Sequence, residues 1–180
     1  MILALGHKQR VGKDTCADYL VRQHGAYKFS FADALKEQAK VLYPHLTHNQ
    51  LYGEAKDQPD PLLEGKTPRQ ILVLLGSATR QALGPNIYLQ RLRHLVQEGK
   101  HSLIVVSDLR TQIEFKYIES LPTGFNIRIQ RPSVAQSSAR IENELNNADW
   151  DYEIENTGGF RYLFEQVNMA YQVFHNHITQ

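Results

Sequence analysis

At 180 residues the chain is long enough to bury one well-formed domain and too short for two large ones. Its 20 basic and 19 acidic side chains leave a formal charge of +1, so no broad nucleic-acid or membrane surface is encoded, and any basic patch is local. The lone Cys16 excludes an internal disulfide; with no basic leader and no apolar run of the roughly 18 residues a membrane helix needs, a cytoplasmic protein in a reducing compartment is expected.

The chain opens on Met1-Ile2-Leu3-Ala4-Leu5, a short buried strand, and runs through Gly6-His7-Lys8-Gln9-Arg10-Val11 into Gly12-Lys13-Asp14-Thr15. A helix beginning at Gly12 or Lys13 brings backbone N–H groups and its positive end to one point, which makes the segment a phosphate cradle. Two departures from the usual G-x-x-x-x-G-K-[ST] pattern stand out. Gly6 lies one residue too far upstream, so either the loop is longer or His7 replaces the first Gly. Asp14 occupies the place where a hydroxyl normally meets Mg²⁺, and Thr15 supplies a hydroxyl one residue later. Asp14 is therefore expected to act through Mg²⁺ or to orient the loop, Thr15 to reach an α-phosphate, and Lys13 to bridge the terminal phosphates. The plainer alternative is a helix start in which Asp14 and Thr15 merely favour the first turn. Ala17, Leu20 and Val21 at helical spacing supply the amphipathic stretch that the cradle requires, and Cys16 reads as a small packing residue.

After this helix (about 13–24), residues 27–31 alternate as a strand and 32–42 are spaced as a helix, with Leu35, Ala39 and Leu42 on one side. Residues 44–68 are polar, rich in Pro and Gly, and long for a loop inside a compact domain. Thr67-Pro68 has the form of an N-cap with Pro at the first helical position, opening a helix over 69–83. Gly84-Pro85 ends it, Asn86 can cap the next, and Ile87, Leu89, Leu92, Leu95 and Val96 give that helix its stripe. The near-continuous apolar run 102–107 predicts a central parallel strand covered on both faces. A helix over about 111–120, strands over 125–129 and 152–155, and a closing helix from near Gly159 complete the chain. The alternation predicts an α/β fold with a parallel sheet of about five strands and helices on both faces, its ligands beyond the carboxyl ends of the strands. His45, His48, His175 and His177 stand at no metal-site spacing from a Cys or carboxylate and read as surface residues.

Asp108 ends the most apolar strand and Arg110 follows two residues later, so a carboxylate and a guanidinium can face the crevice that holds Lys13. Asp108 can hold a metal-bound water or accept a hydrogen bond from an acceptor, and Arg110 offers a fork for phosphate. The alternative is an Asp–Arg pair that only caps the following helix. Arg69, Arg80, Arg131 and Arg140 stand where connections return to the crevice, and phosphoryl transfer draws on many fixed positive donors.

Gly12-Lys13-Asp14-Thr15 with Cys16-Ala17-Asp18, Phe31-Ala32-Asp33-Ala34-Leu35-Lys36, Thr67-Pro68-Arg69, Leu75-Gly76, Arg80, Asp108-Leu109-Arg110, Arg131-Pro132 and residues 151–158 together resemble the bacteriophage-type deoxynucleoside monophosphate kinases. The resemblance spans nearly the whole chain and implies a P-loop, nucleoside-monophosphate-kinase fold in one domain (1–180), with an acceptor-binding helical region over about 32–98 and a lid over about 133–147. It implies transfer of the γ-phosphate of ATP, with Mg²⁺, to a deoxynucleoside 5′-monophosphate, in a host cytoplasm where the source is a phage. Lys13, Asp108, Arg110 and Arg131 would carry the catalysis; Gly12, Lys13, Asp14, Thr15, Arg131, Asn156 and Gly158 would bind ATP, and Asp14 and Asp108 the metal. Phe31, Ala32, Lys36, Arg69, Arg80, Asp108 and Arg110 would meet the acceptor, and Arg140 and Glu142 would lie in the lid. Neither a membrane nor a nucleic acid is expected as partner, and a homodimer is compatible with the sequence. Rival readings keep the fold and change the acceptor (dephospho-coenzyme A, phosphomevalonate, a modified base in DNA) or make the chain an ATP-binding regulatory module without transfer activity.

Overall fold

Five strands, β1 (Ile2–Gly6), β2 (Tyr27–Phe29), β3 (Ile104–Leu109), β4 (Gly124–Gln130) and β5 (Tyr152–Glu155), form one sheet in the computed structural model, which describes residues 1–134 and 143–178. Their order is β2-β3-β1-β4-β5, with every neighbouring pair parallel. Among the described residues the α-helices are α1 (Lys13–His24), α2 (Phe31–Leu42), α3 (His48–Tyr52), α4 (Pro68–Leu83), α5 (Leu89–Glu98), α6 (Gln112–Glu119) and α7 (Phe160–Ile178). Two compact units emerge, one of Met1–Ser30 with His94–Gln180 and one of Phe31–Arg93.

In the sheet unit the period of two along each strand decides which helix it meets. Leu3 and Leu5 of β1, Val105 of β3 and Phe125, Ile127 and Ile129 of β4 form a core with Cys16, Ala17 and Leu20 of α1 and Leu163, Val167, Ala170 and Phe174 of α7. On β4 the alternate residues face α6: Asn126 Nδ2 donates to the Phe115 carbonyl, and a Cβ at Gly124 would strike the Ile118 backbone. The expected parallel sheet covered on both faces is thus present, and Leu3, Leu5, Val105 and Val106 are fully buried. Truncating such a residue to Ala costs about 2–5 kcal/mol, so this layer sets the stability of the unit. Among the described residues no helix is long and apolar enough to cross a membrane.

The helical unit has its own small core of Ala39, Leu46, Leu51, Leu63 and Ile71. Here the long polar segment differs from a bare loop. Thr47 and Gln50 close a capping box on α3, and Asp60 accepts from Leu62 N at 2.8 Å and from Gln50 Nε2 at 2.6 Å. Leu46, Leu51 and Leu63 supply the buried anchors that hold these short turns, which are too brief to show a 3.6-residue period. Two other boundaries shift. β2 stops at Phe29 because Phe31 is buried as the first residue of α2, and the helix expected from Asn86 begins at Leu89, after a turn that buries Tyr88.

Candidate functional site

β1 ends at Gly6, whose register partner on β3 is Leu109, so Asp108 and Arg110 bracket the strand position beside the start of the loop. The parallel pairing of a short apolar strand with the most apolar strand of the chain is what brings these two segments together. A Cβ at Gly6 would overlap the Trp150 ring, so a larger residue there would have to displace that side chain.

The loop that follows takes three positive-φ residues: φ is 84° at His7, 60° at Arg10 and 106° at Gly12. Left-handed residues among ordinary ones are the backbone pattern from which N–H nests for anions are built. At non-glycine positions this geometry costs about 1–2 kcal/mol each, and it persists only where neighbours enforce it. The neighbours are identifiable. His7 Nε2 lies 3.1 Å from Asn146 Oδ1, and its ring stands edge-on to Trp150, which in turn meets Phe115. Burial lowers the His7 pKa, Asn146 opposes this, and Arg128, Lys8 and Lys13 lower it further. At the other end of the loop, buried Asn156 donates its Nδ2 to the Val11 carbonyl at 2.9 Å while its own N–H reaches Gln130 O at 2.7 Å.

α1 starts at Lys13 with Gly12 as its N-cap, and no side chain caps it. The positive end of the helix is thereby left to an incoming anion. Lys13 is buried, and its Nζ donates to the His7 carbonyl at 3.1 Å and to the Lys8 carbonyl, so the ammonium lies across the loop. Burial is the largest cause that pushes its pKa down to about 7, the Arg110 guanidinium adds to this, and Asp108 and Asp14 oppose it. Lys13, Asp108 and Arg110 therefore share one electrostatic neighbourhood, as the sequence suggested. Thr15 sits half-buried in the same first turn.

Asp108 accepts from Ser30 Oγ at 2.9 Å. The cap of α6 belongs to Thr111 and Glu114, whose Oε2 takes the N–H groups of Arg110 and Thr111 at 3.1 and 3.0 Å, so the purely capping reading of the Asp108–Arg110 pair does not hold. Asp14 is exposed and paired with Lys28 Nζ at 3.1 Å. Arg131 is exposed just after β4, and Gly158 is a close approach, since a Cβ there would lie 2.8 Å from Tyr162 Cβ.

The remaining residues named from the sequence belong to the helical unit. Phe31 is buried at the start of α2, and Ala32 beside it is half-buried. Lys36 bonds Asp33 at 2.9 Å with its ammonium 3.9 Å over the Tyr52 ring. Arg69 forks onto Asp57, and Arg80 lies 5.0 Å over Tyr88, whose hydroxyl donates to Gln38 at 3.3 Å. Arg69 and Arg80 share a face of α4 and stand three turns, about 16 Å, apart along its axis. Arg140 and Glu142, with most of the expected lid, lie outside the described residues. Sequence reading missed Asn146, Trp150 and Lys28; only a lone Trp and a lysine in an alternating strand marked the last two, and nothing marked Asn146.

Among known proteins, a candidate deoxynucleotide monophosphate kinase from Acanthamoeba polyphaga mimivirus is 32% identical over 172 residues, 87% of this chain and 88% of the viral one. The fold is shared with shikimate kinase from Acinetobacter baumannii in complex with shikimate (TM-score 0.53, 12% identity, 99% of this chain and 95% of that one). Dephospho-CoA kinase from Campylobacter jejuni shares it too (TM-score 0.50, 18% identity, 95% of each chain). No family model matches the chain. A parallel sheet, a cradle loop after its middle strand and an identity sustained along nearly the full length of a viral relative agree, and the chain belongs to the deoxynucleotide monophosphate kinase family.

Proposed function

We propose that the chain transfers the γ-phosphate of ATP to a deoxynucleoside 5′-monophosphate, giving the diphosphate and ADP. The observation that carries this reading is the shared neighbourhood of Lys13, Asp108 and Arg110 where the loop leaves β1 beside β3. Two fixed cations and one carboxylate at the carboxyl ends of adjacent parallel strands suit two phosphoryl groups meeting end to end.

In this reading the loop N–H groups and Lys13 grip the β- and γ-phosphates, with Thr15 at the α-phosphate. Arg110 holds the transferred group and the acceptor oxygens. An acceptor phosphate is already ionised, so no strong base is demanded, and the rate comes from donors fixed in advance. Arg131 serves catalysis and ATP binding, and Asn156 and Gly158 serve the nucleoside end of ATP. Phe31, Ala32, Lys36, Arg69 and Arg80 serve the acceptor, the two arginines near its phosphate.

Mg²⁺ fits this donor set. Among the described residues no group of three His, Cys, Asp or Glu side chains is placed to hold a metal, but Mg²⁺ needs only one or two carboxylates beside phosphate oxygens and water. Asp108 would hold it through water, while Asp14 is tied to Lys28 and acts on the loop. Bound there, the metal neutralises charge on the β- and γ-phosphates.

The test is a panel of nucleoside monophosphates, deoxy and ribo, with dephospho-coenzyme A alongside, offered with ATP and Mg²⁺ while ADP is followed. Deoxynucleoside monophosphates are expected to stimulate ADP release. A response to dephospho-coenzyme A alone, or ATP binding with no acceptor-dependent release, overturns the reading.

A further inference from the structure

In the usual phosphate loop the residue after the lysine is a neutral Ser or Thr. Here it is Asp14, a full negative charge in the first turn of the helix whose N-terminus is read as the anion site. An acid favours a helix start but repels a polyphosphate bound at the same place. The structure holds a counterweight. Lys28 stands in the middle of β2, where its backbone pairs with Val105 of β3, and its Nζ reaches Asp14 Oδ1 at 3.1 Å and Asp18 Oδ1 at 2.9 Å. The two carboxylates are one turn apart on the same face of α1, so one ammonium serves both. The Lys28 side chain is 31% exposed and that of Asp14 81%.

We propose that Lys28 is a positioning residue for the donor: it neutralises Asp14 and draws that carboxylate onto β2, so that the first turn of α1 accepts the polyphosphate of ATP. The inference rests on the reading of the loop as the ATP site. Burial acts against the Lys28 charge, yet the Asp18 hydrogen bond and the Asp14 charge more than reverse it and its pKa is raised, so the ammonium is retained at neutral pH. Surface pairs of this exposure add little to fold stability. Their charge, however, is felt by a highly charged ligand bound one residue away.

The test is calorimetric titration of ATP without divalent metal, at low salt, into the wild type, Lys28→Met, Lys28→Arg, Asp14→Asn and the Lys28→Met/Asp14→Asn double variant. Thermal melting confirms that each is folded. Lys28→Met should weaken ATP roughly tenfold, the size of one partly screened charge contact, and Lys28→Arg should retain binding. Asp14→Asn should bind at least as tightly as the wild type, and adding it to Lys28→Met should restore most of the loss. That rescue separates charge compensation from a structural role, which removal of a second charge would not repair. Equal affinity of Lys28→Met and wild type overturns the proposal. So does a double variant as weak as Lys28→Met, which would put Lys28 directly on the phosphates. Failure of the wild type to bind ATP instead refutes the underlying assignment of the loop.

Discussion

Asn156, 145 residues beyond Val11 in sequence, donates its buried side-chain N–H to the Val11 carbonyl at 2.9 Å. The turn after β5 thereby holds the last residue before Gly12 and fixes the exit of the cradle loop. Asn156→Ala leaves a buried carbonyl without its donor, at a cost of about 1–3 kcal/mol. Denaturant unfolding should show that loss with an unchanged m-value, and ATP should bind more weakly because the loop is no longer set before the ligand arrives. Unaltered affinity would mean that the contact is structural only.

Gly12 is constrained twice over, by its φ of 106° and by the Asn156 Nδ2, which would lie 2.9 Å from an added Cβ. Gly12→Ala should therefore destabilise by roughly 1–3 kcal/mol, part backbone strain and part steric conflict. Truncating Asn156 relieves only the steric part. The double variant Gly12→Ala/Asn156→Ala should consequently be more stable than the sum of the single changes predicts, by more than about 0.5 kcal/mol. Additivity within that margin would locate the whole cost in the backbone.

How much of this was legible beforehand follows from sequence distance. β1 and β3 announced themselves through continuous apolar runs, β4 through the alternation Phe125-Asn126-Ile127-Arg128-Ile129, α1 through the cradle that precedes it, and α4 through Thr67-Pro68, because each signal lies within a few neighbouring residues. The capping box at Thr47 and Gln50 was equally local and was readable in principle, but α3 is only five residues long and its burial depends on Leu51 meeting Leu46, Leu63 and Ile71. Lys13, Asp108 and Arg110 came from the rule that ligands gather at the carboxyl ends of parallel strands. The residues that set the loop, Asn146 on His7 and Trp150 against Gly6, act across more than a hundred positions. No spacing rule links them, so only the folded chain discloses the pair.

Cys16 directly follows the cradle, where a reactive thiol would be a tempting reading. Burial, its largest influence, pushes its pKa up to about 12, with Asp14 also raising it and Lys13 opposing. At pH 8 the group is a thiol rather than a thiolate, sealed in the core shared by α1 and α7. A thiol-reactive chromogenic disulfide should modify the native protein only at the rate of unfolding and modify it at once in denaturant. Rapid stoichiometric labelling of the folded chain would contradict this placement.

Lys13 ties function to stability with a definite sign. Its pKa in the folded chain, about 7, lies below the 10.5 of an unfolded lysine, so between those values the unfolded state binds more protons. Stability of the wild type from this group therefore rises as pH climbs from about 7 toward 10, and below 7 the full cost of burying the ammonium is borne. Lys13→Met lacks that dependence. The melting temperature of Lys13→Met relative to wild type should be most favourable at pH 6 to 7 and should fall steadily as the buffer is made alkaline, even though turnover of the variant drops about a hundredfold or more. Binding carries the mirror image. A polyphosphate beside Lys13 raises its pKa, so ATP binding at pH 8 should take up a proton, detectable as a binding enthalpy that varies with the ionisation enthalpy of the buffer. At pH 6, where the lysine is already charged, that proton uptake should vanish, and an uptake that persists unchanged in Lys13→Met would assign it to another group.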